Sequence, residues 1–214
     1  MIPIYRSVGE AAVLLEFGDT IDREINAAVI EFDRAIGVAE VVGIVETVPA
    51  YASLLVIFDP DATDHAAVVA ALKALPPDQV QAVSEGALHH ILVDYGAAFG
   101  PDLDAVAHAA SMSAVNVITA HQSVEYCVYM GGFAPGYAYL GDVPEAIRIP
   151  RKATPQTGHP AGSVIIAGGQ CLITTLPMPP GWWVIGHTDA RIFDPAADNP
   201  FLLKPGDRVR FTSA

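Results

Sequence analysis

The stretch AGSVIIAGGQCLITTL, residues 161–176, decides the fold of the second half of the chain. It contains two short apolar runs, AGSVIIAG and QCLITTL, which meet at a glycine turn. Similar short runs follow as GWWVIGHT, ARIFD and DRVRFTS, and helical periodicity is absent from Gly131 onward. Many short strands separated by glycine and proline turns predict a β-barrel or a β-sandwich.

The first half of the chain has a different pattern, with two strand pairs that each lead into a helix. The runs IPIYRSV and AAVLLEF form one predicted strand pair, and VAEVVGIVETV and YASLLVIFD form the other. Apolar residues at helical spacing follow each pair, which gives the order ββαββα. We therefore expect a ferredoxin-like α+β domain over residues 1–84. The proline-rich segment 76–86 is the predicted linker to a second domain over residues 87–214.

Between the linker and the barrel strands, the sequence predicts one strand and two short helices. The strand is LHHILVDYG, and Asp102 and Ser113 are the predicted N-caps of the helices. His89 and His90 are adjacent on that strand and so point to opposite faces, which argues against a metal site. Cys127 and Cys171 lie 44 positions apart. They are expected to be free thiols rather than a disulfide or a reactive pair.

Composition and charge exclude several functional classes. The chain has 214 residues, a net charge of −13 and only 11 lysines and arginines, which are scattered. Binding to nucleic acid or to an anionic membrane surface needs a basic patch, so neither is expected. No apolar run reaches the roughly 18 residues of a membrane span, and the N-terminus lacks the apolar stretch of a signal peptide. The cytoplasm is the expected location.

Common catalytic motifs are also absent from the sequence. It contains no GxxxxGK[ST], no GxGxxG after a strand, no HExxH and no GxSxG. The segment RIPRKATPQTGHPAGSV, residues 148–164, instead places Arg148, Arg151 and Lys152 together on a proline-stiffened backbone. These cations could hold a carboxylate or phosphate, or they could only balance an acidic surface.

Two aromatic stretches complete the set of candidates. The loop YMGGFAPGYAYLGDVP, residues 129–144, is almost uncharged, so it covers a core or lines a surface that a ligand or partner contacts. In GWWVIGHT, Trp182 and Trp183 are adjacent on a predicted strand and point to opposite sides. One of these rings can therefore fill a core while the other meets a ligand or partner, although a barrel core with one exposed ring is an equal alternative.

The motifs GGFAPGYAYLGDVP, PRKATPQTGHPAGSVIIAGGQ, GWWVIGHT and FDP…LLKPGDRVRF resemble the carboxyltransferase-domain subfamily of proteins. That subfamily includes the B-type subunit of 5-oxoprolinase, allophanate hydrolase subunit 1 and the Kip-type inhibitor of a sporulation histidine kinase. The resemblance covers essentially the whole chain and implies that its second domain is a cyclophilin-like β-barrel. The overall expectation is an α+β protein with a ferredoxin-like N-terminal unit and this C-terminal barrel.

The resemblance also implies partners and chemistry. In the 5-oxoprolinase version, the chain pairs with a carboxyltransferase-like subunit of the C type and with a LamB/YcsF-type subunit. Together they use ATP, bound by the complex if not by this chain, to open the lactam of 5-oxoproline to glutamate, and this chain alone is inactive. An alternative is an allophanate hydrolase/urea carboxylase-type subunit. In the urea carboxylase relatives the paired domains transfer a carboxyl group from biotin to urea, and biotin is the less favoured cofactor here. The kinase inhibitor binds a protein and performs no chemistry.

Site residues follow from the matched motifs. The predicted catalytic and positioning residues are Arg151, Thr154, Gln170 and His187. The predicted substrate-binding residues are Phe133, Pro135, Gly136, Tyr137, Pro155, Gly162, Ser163, Trp182, Gly186 and Thr188. At two positions, Gln156 and His187, this chain lacks an arginine that is common in the family. Each change removes a guanidinium fork that could bind a carboxylate.

Overall fold

The computed structural model describes residues 1–75, 86–156, 158–177 and 181–214. The chain divides into two compact units, Met1–Glu85 and Gly86–Ala214. Residues 76–85, which make up nearly all of the predicted linker, lie outside the described residues.

The first unit has the predicted ββαββα order. Its elements are β1 (Ile4–Val8), β2 (Ala12–Glu16), α1 (Arg23–Ala39), β3 (Ile44–Pro49), β4 (Ser53–Phe58) and α2 (His65–Lys73). The strands form one antiparallel sheet in the order β1-β2-β4-β3. Asp22 caps α1, because its Oδ1 accepts hydrogen bonds from the amides of Glu24 (2.8 Å) and Ile25 (3.0 Å). The predicted ferredoxin-like α+β unit is confirmed.

The core of the first unit forms because strand and helix periodicities agree. Alternate residues of β2 and β4 point to one face of the sheet, where they meet the apolar stripes of α1 and α2. The buried cluster consists of Val13, Leu15, Phe17, Val29, Phe32, Ile36, Leu54, Val56, Phe58, Val68 and Leu72.

The second unit is built mainly of short strands. Its elements are β5 (Leu88–Val93), α3 (Leu103–Ala109), α4 (Ala114–Gln122), β6 (Tyr126–Gly131), β7 (Ala138–Leu140), a 3-10 turn (Glu145–Ile147), β8 (Ser163–Ala167), β9 (Gln170–Ile173), β10 (Trp183–His187) and β11 (Arg208–Ser213). Seven strands form one sheet in the order β10-β8-β9-β7-β6-β11-β5. The predicted strand ARIFD is wrong, because Phe193 makes only a single bridge, to Phe201.

The two outer strands of this sheet approach each other and nearly close it into a barrel. Asp94, directly after β5, pairs with His187 at the end of β10. The Asp94 amide donates to the His187 carbonyl at 2.8 Å, and the His187 amide donates to the Asp94 carbonyl at 2.9 Å. A Cβ on Gly186 would lie 2.6 Å from Val93 Cγ1, so the closing strands need a glycine there. The predicted cyclophilin-like barrel is confirmed.

A buried histidine lies in the barrel core. His121 of α4 is fully buried, with Nδ1 2.8 Å from the Tyr95 hydroxyl and Nε2 3.6 Å from Cys171 Sγ. Its ring stacks on Phe211 at 4.6 Å between centroids. Burial lowers the pKa of His121 to about 3, so the folded protein keeps this imidazole neutral. Cys171 and Cys127 form no disulfide, as predicted, but only Cys171 is buried as expected, whereas Cys127 is half-buried.

Candidate functional site

The basic segment, residues 148–152, is fixed against the barrel by its backbone. The Ile149 carbonyl accepts from the Gly168 amide at 2.7 Å, and the Lys152 amide donates to the Gly181 carbonyl at 2.8 Å. Between these two bonds, Trp183 Nε1 donates to the Pro150 carbonyl at 2.8 Å. The segment therefore runs beside the chain that leads into β10 and is held in one place.

Two of the three cations of this segment, Arg151 and Lys152, lie over the two tryptophans in order, whereas Arg148 Nε donates to the Val143 carbonyl. Arg151 Cζ is 5.8 Å from the centre of the Trp182 ring, and Lys152 Nζ is 5.3 Å from that of Trp183. Both distances are within the range of cation–π attraction. Trp182 belongs to a different buried cluster from the one that Trp183 packs against, so the two rings do face opposite sides.

Trp182 belongs to a second buried cluster, which we call the aromatic face. It is the side of β7–β10 that points away from the main barrel core. Tyr139 lies on it, 6.2 Å from Trp182 between ring centroids, in an edge-on arrangement. The aromatic face consists of Tyr137, Tyr139, Ile165, Ala167, Leu172, Trp182 and Val184.

Arg151 stands at the exposed rim of the aromatic face. Within the described residues, its guanidinium makes no hydrogen bond or ion pair, and the Trp182 ring is the aromatic group beside it. Burial raises the pKa of the Tyr139 phenol, and the nearby positive charge of Arg151 partly opposes that shift. An arginine with available donors beside apolar rings suits a small ligand that carries a carboxylate.

Lys152, unlike Arg151, is buried and ion-paired. Its side chain is only 5% exposed, and its ammonium group donates to Asp102 Oδ2 at 2.5 Å. Asp102 stands at the first position before α3, but it makes no side-chain cap hydrogen bond there, so the predicted cap is wrong. The carboxylate accepts from the Val184 amide instead, at 2.7 Å. Ser113 caps α4 as predicted, accepting from the Asn116 amide at 3.2 Å.

The glycine-rich loop between β6 and β7 forms a separate feature. Phe133 is 79% exposed and has a positive φ of 70°, which is unusual for an aromatic residue. Thr175 Oγ1 donates to the Pro135 carbonyl at 2.6 Å, and a Cβ on Gly136 would lie 2.4 Å from Phe193 Cβ. The loop is therefore held firmly, and it presents Phe133 to solvent.

A groove of about 350 Å³ lies between this loop and a later segment of the chain. Pro135, Gly136 and Tyr137 line one side of the groove, and Phe201, Leu203, Lys204 and Pro205 line the other. Sequence reasoning missed the second side, although LLKPGD was one of the motifs that carried the resemblance. No polar pattern marks these residues as a site.

Five predicted site residues lie together where β8 begins and β10 ends. Ser163 Oγ donates to the Pro160 carbonyl at 2.8 Å, and Thr188 Oγ1 accepts from the Ala190 amide at 3.1 Å. His187 Nε2 lies 3.1 Å from the Ala161 carbonyl, and the ring rests against Phe99. Gly186 and His187 contact β5 and Asp94, where the barrel closes. Gly162, Ser163 and Thr188 make their hydrogen bonds to neighbouring segments of β8, β9 and β10.

The four predicted catalytic residues do not form one cluster. Gln170 pairs with Ala167 at one end of β8, whereas His187 pairs with Ser163 at the other. Four residues of strand separate these ends by about 13 Å. Gln170 points to the same side as Tyr139, because their neighbours Cys171 and Leu140 both face the main core. Thr154 and Pro155 are exposed beyond Lys152.

The part of the chain that the structure describes shows neither a metal-ligand cluster nor a membrane-spanning helix. There, no three histidine, cysteine, aspartate or glutamate side chains come together as metal ligands would. Among the same residues, no helix has both the length and the apolar character required to cross a membrane.

A nearly closed barrel with a separate α+β unit defines the carboxyltransferase-domain class, and sequence comparison agrees. The profile of the family described as "Carboxyltransferase domain, subdomain C and D" matches residues 3–203, and the chain belongs to that family. It is 37% identical to the B-type subunit of 5-oxoprolinase from Escherichia coli O157:H7, over 95% of this chain and 93% of that protein. It is 35% identical to the corresponding 5-oxoprolinase subunit of Bacillus subtilis, with 95% and 90% covered.

Solved structures show the same fold. The crystal structure of TTHA0988 is 36% identical with a TM-score of 0.86, covering 96% of this chain but only 40% of that one. Urea carboxylase of Kluyveromyces lactis is 20% identical with a TM-score of 0.76, covering 98% of this chain and 21% of that one. At that identity the likeness concerns the fold alone. The chain is thus a 5-oxoprolinase- or carboxyltransferase-type subunit.

Proposed function

We propose that this chain is the B-type subunit of an ATP-dependent 5-oxoprolinase. The complex would open the lactam of 5-oxoproline, or of a closely related cyclic amide, to the amino acid. A carboxyltransferase-like subunit of the C type and a LamB/YcsF-type subunit would complete it. The named relatives support this assignment, since they match over nearly their whole length.

The observation that carries the proposal is the guanidinium of Arg151 above Trp182, which has no ion-pair partner among the described residues. 5-Oxoproline combines a carboxylate with a small, largely apolar ring. The planar fork of arginine can bind both carboxylate oxygens at once, which a lysine cannot do. The carbon edge of the lactam would then lie against Tyr139 and Trp182 on the aromatic face.

The chemical step requires more than this chain offers. A lactam is a stable amide, and ATP can activate it by transferring its γ-phosphoryl group to the amide oxygen. Water then adds to the activated carbon, and the C–N bond breaks as the ring nitrogen takes a proton. Hydrolysis of the resulting acyl phosphate releases inorganic phosphate, and donors stabilise the negative charge that develops in these steps. The sequence has no phosphate-binding glycine loop, so we assign ATP to the assembled complex. The side chain of Gln170, on the same face as Tyr139, is a candidate donor.

The test is to co-express the chain with the two other subunits and to assay ATP-dependent glutamate release from 5-oxoproline without added biotin. We expect turnover by the complex and none by the isolated chain. A complex that leaves 5-oxoproline intact but consumes allophanate or a urea derivative would contradict the proposal. So would a complex that forms only with a sensor kinase and inhibits it.

Phe133 is proposed to be buried by a partner subunit. A phenyl ring that is 79% exposed on a left-handed backbone costs free energy in the isolated chain, and interfaces commonly bury such rings. Phe133→Ser should weaken assembly by about 10-fold or more in Kd, measured by calorimetry, and should leave the fold unchanged. Val115→Ser is the control, because Val115 is also an exposed apolar residue of this unit, at 69%. Equal affinities for both variants would show that the partner does not cover Phe133.

A further inference from the structure

The ion pair between Lys152 and Asp102 connects three parts of the barrel unit. Asp102, before α3, bonds to β10 twice: its amide donates to the Val184 carbonyl at 3.0 Å, and its Oδ2 accepts from the Val184 amide at 2.7 Å. The same oxygen accepts from Lys152 Nζ at 2.5 Å. The basic segment is thereby tied to the start of a helix and to a barrel strand.

The surroundings of Lys152 keep its ammonium group in one position. Gln156 Oε1 accepts a second hydrogen bond from Nζ at 2.9 Å, and the Trp183 ring lies 5.3 Å away. The side chains of Lys152 and Asp102 are only 5% and 9% exposed. A buried ion pair of this kind is seldom more stabilising than apolar residues of the same volume, because both charges lose their hydration. The pair is better explained by what it positions than by stability.

The ion pair positions Arg151, the residue before Lys152. Adjacent side chains on an extended backbone point to opposite sides. Lys152 lies over Trp183 and Arg151 over Trp182, and these two rings face opposite sides. The hydrogen bond from the Lys152 amide to the Gly181 carbonyl, at 2.8 Å, fixes the backbone of the segment at the same point. Arg151 has no other anchor among the described side chains.

We propose that Lys152 and Asp102 are positioning residues that hold the Arg151 guanidinium over Trp182, ready for a carboxylate ligand that neither of them contacts. Gln156 takes part by accepting a hydrogen bond from Lys152. The carboxylate in this inference rests on the proposed function. The positioning itself does not.

The test uses Lys152→Met, which keeps an unbranched side chain as far as Cε and removes the ammonium group. In the assembled complex we expect KM for 5-oxoproline to rise about 10-fold with a smaller change in kcat, since a misplaced arginine weakens binding. In the isolated chain, NMR titration of Tyr139 should show its phenol pKa rising, as in Arg151→Ala, because the cation has moved away. Lys73→Met, on the exposed end of α2, is the matched control.

The outcomes separate the two proposals. If Lys152→Met leaves both KM and the Tyr139 titration unchanged while Arg151→Ala raises KM, the positioning role is wrong and the proposed function stands. If the Tyr139 titration shifts but Arg151→Ala leaves KM unchanged, the positioning role stands and the carboxylate assignment is wrong. If Lys152→Met unfolds because Asp102 is left unpaired, the neutral double variant Lys152→Met, Asp102→Asn provides the same two measurements.

Discussion

Arg151→Ala is expected to lower kcat/KM of the assembled complex for 5-oxoproline by about 10- to 100-fold, because a charge-assisted bidentate contact is lost. Most of the loss should appear in KM, since the guanidinium would hold the carboxylate equally in the ground state and in the transition state. Stopped-time assays of glutamate release over a range of 5-oxoproline concentrations measure both parameters. The melting temperature of the isolated chain should hardly change, because Arg151 is exposed and lacks an ion pair among the described residues.

Two further variants make this result specific. Arg151→Lys keeps the charge but loses the planar fork, so its KM should fall between those of the native complex and Arg151→Ala. Arg191→Ala removes an exposed arginine of the same unit that is already paired with Asp194 at 2.7 Å, and it should behave as the native protein. Native kinetics for Arg151→Ala, or equal losses for both alanine variants, would show that Arg151 does not bind substrate.

Acid should destabilise the protein through His121. The folded state holds the pKa of His121 at about 3, whereas an unfolded histidine has a pKa near 6.5. Below the unfolded value only the unfolded chain takes up the proton, so stability is fully present above that value and is lost as pH falls toward the folded one. Between about pH 7.5 and about pH 5.5 this residue alone should lower the free energy of unfolding by about 1.4 kcal/mol.

Urea unfolding of the isolated chain at these two pH values measures the effect. His121→Leu should be less stable at neutral pH by about 1–3 kcal/mol, because Tyr95 loses its buried partner, but its stability should depend less on pH. His90→Gln, at an exposed position of β5, is the control and should retain the native slope. A slope in His121→Leu equal to the native one would mean that other groups cause the acid sensitivity.

The fold was predictable because it follows from patterns among residues that are close together in the sequence. Strand alternation in AAVLLEF and YASLLVIFD and helical spacing after each pair give the ββαββα order. The short runs AGSVIIAG and QCLITTL pair as β8 and β9, as their shared glycine turn indicates. The failures are local as well. ARIFD has the composition of a strand, but its pairing is limited to a single bridge between Phe193 and Phe201.

The candidate site was less predictable, because its contacts join residues far apart in the chain. Asp102 has the sequence signature of a helix cap, yet its carboxylate accepts hydrogen bonds from Lys152 and Val184, which are 50 and 82 positions away in the chain. His187 and Gln170 belong to neighbouring motifs, but the antiparallel pairing of β8 with β9 and β10 sends them to opposite ends of one strand.

The sequence by itself determined the two-unit architecture, the family and the cationic segment with its two tryptophans. Those features follow from side-chain periodicity and from contiguous motifs, which need no knowledge of distant contacts. Only the tertiary structure decided which cation is available to a ligand. Arg151 and Lys152 are neighbours with the same charge, and the pattern does not distinguish them. Lys152 is buried and paired with Asp102, whereas Arg151 lies over Trp182, on the opposite side from Trp183, and stays at the exposed rim of the aromatic face.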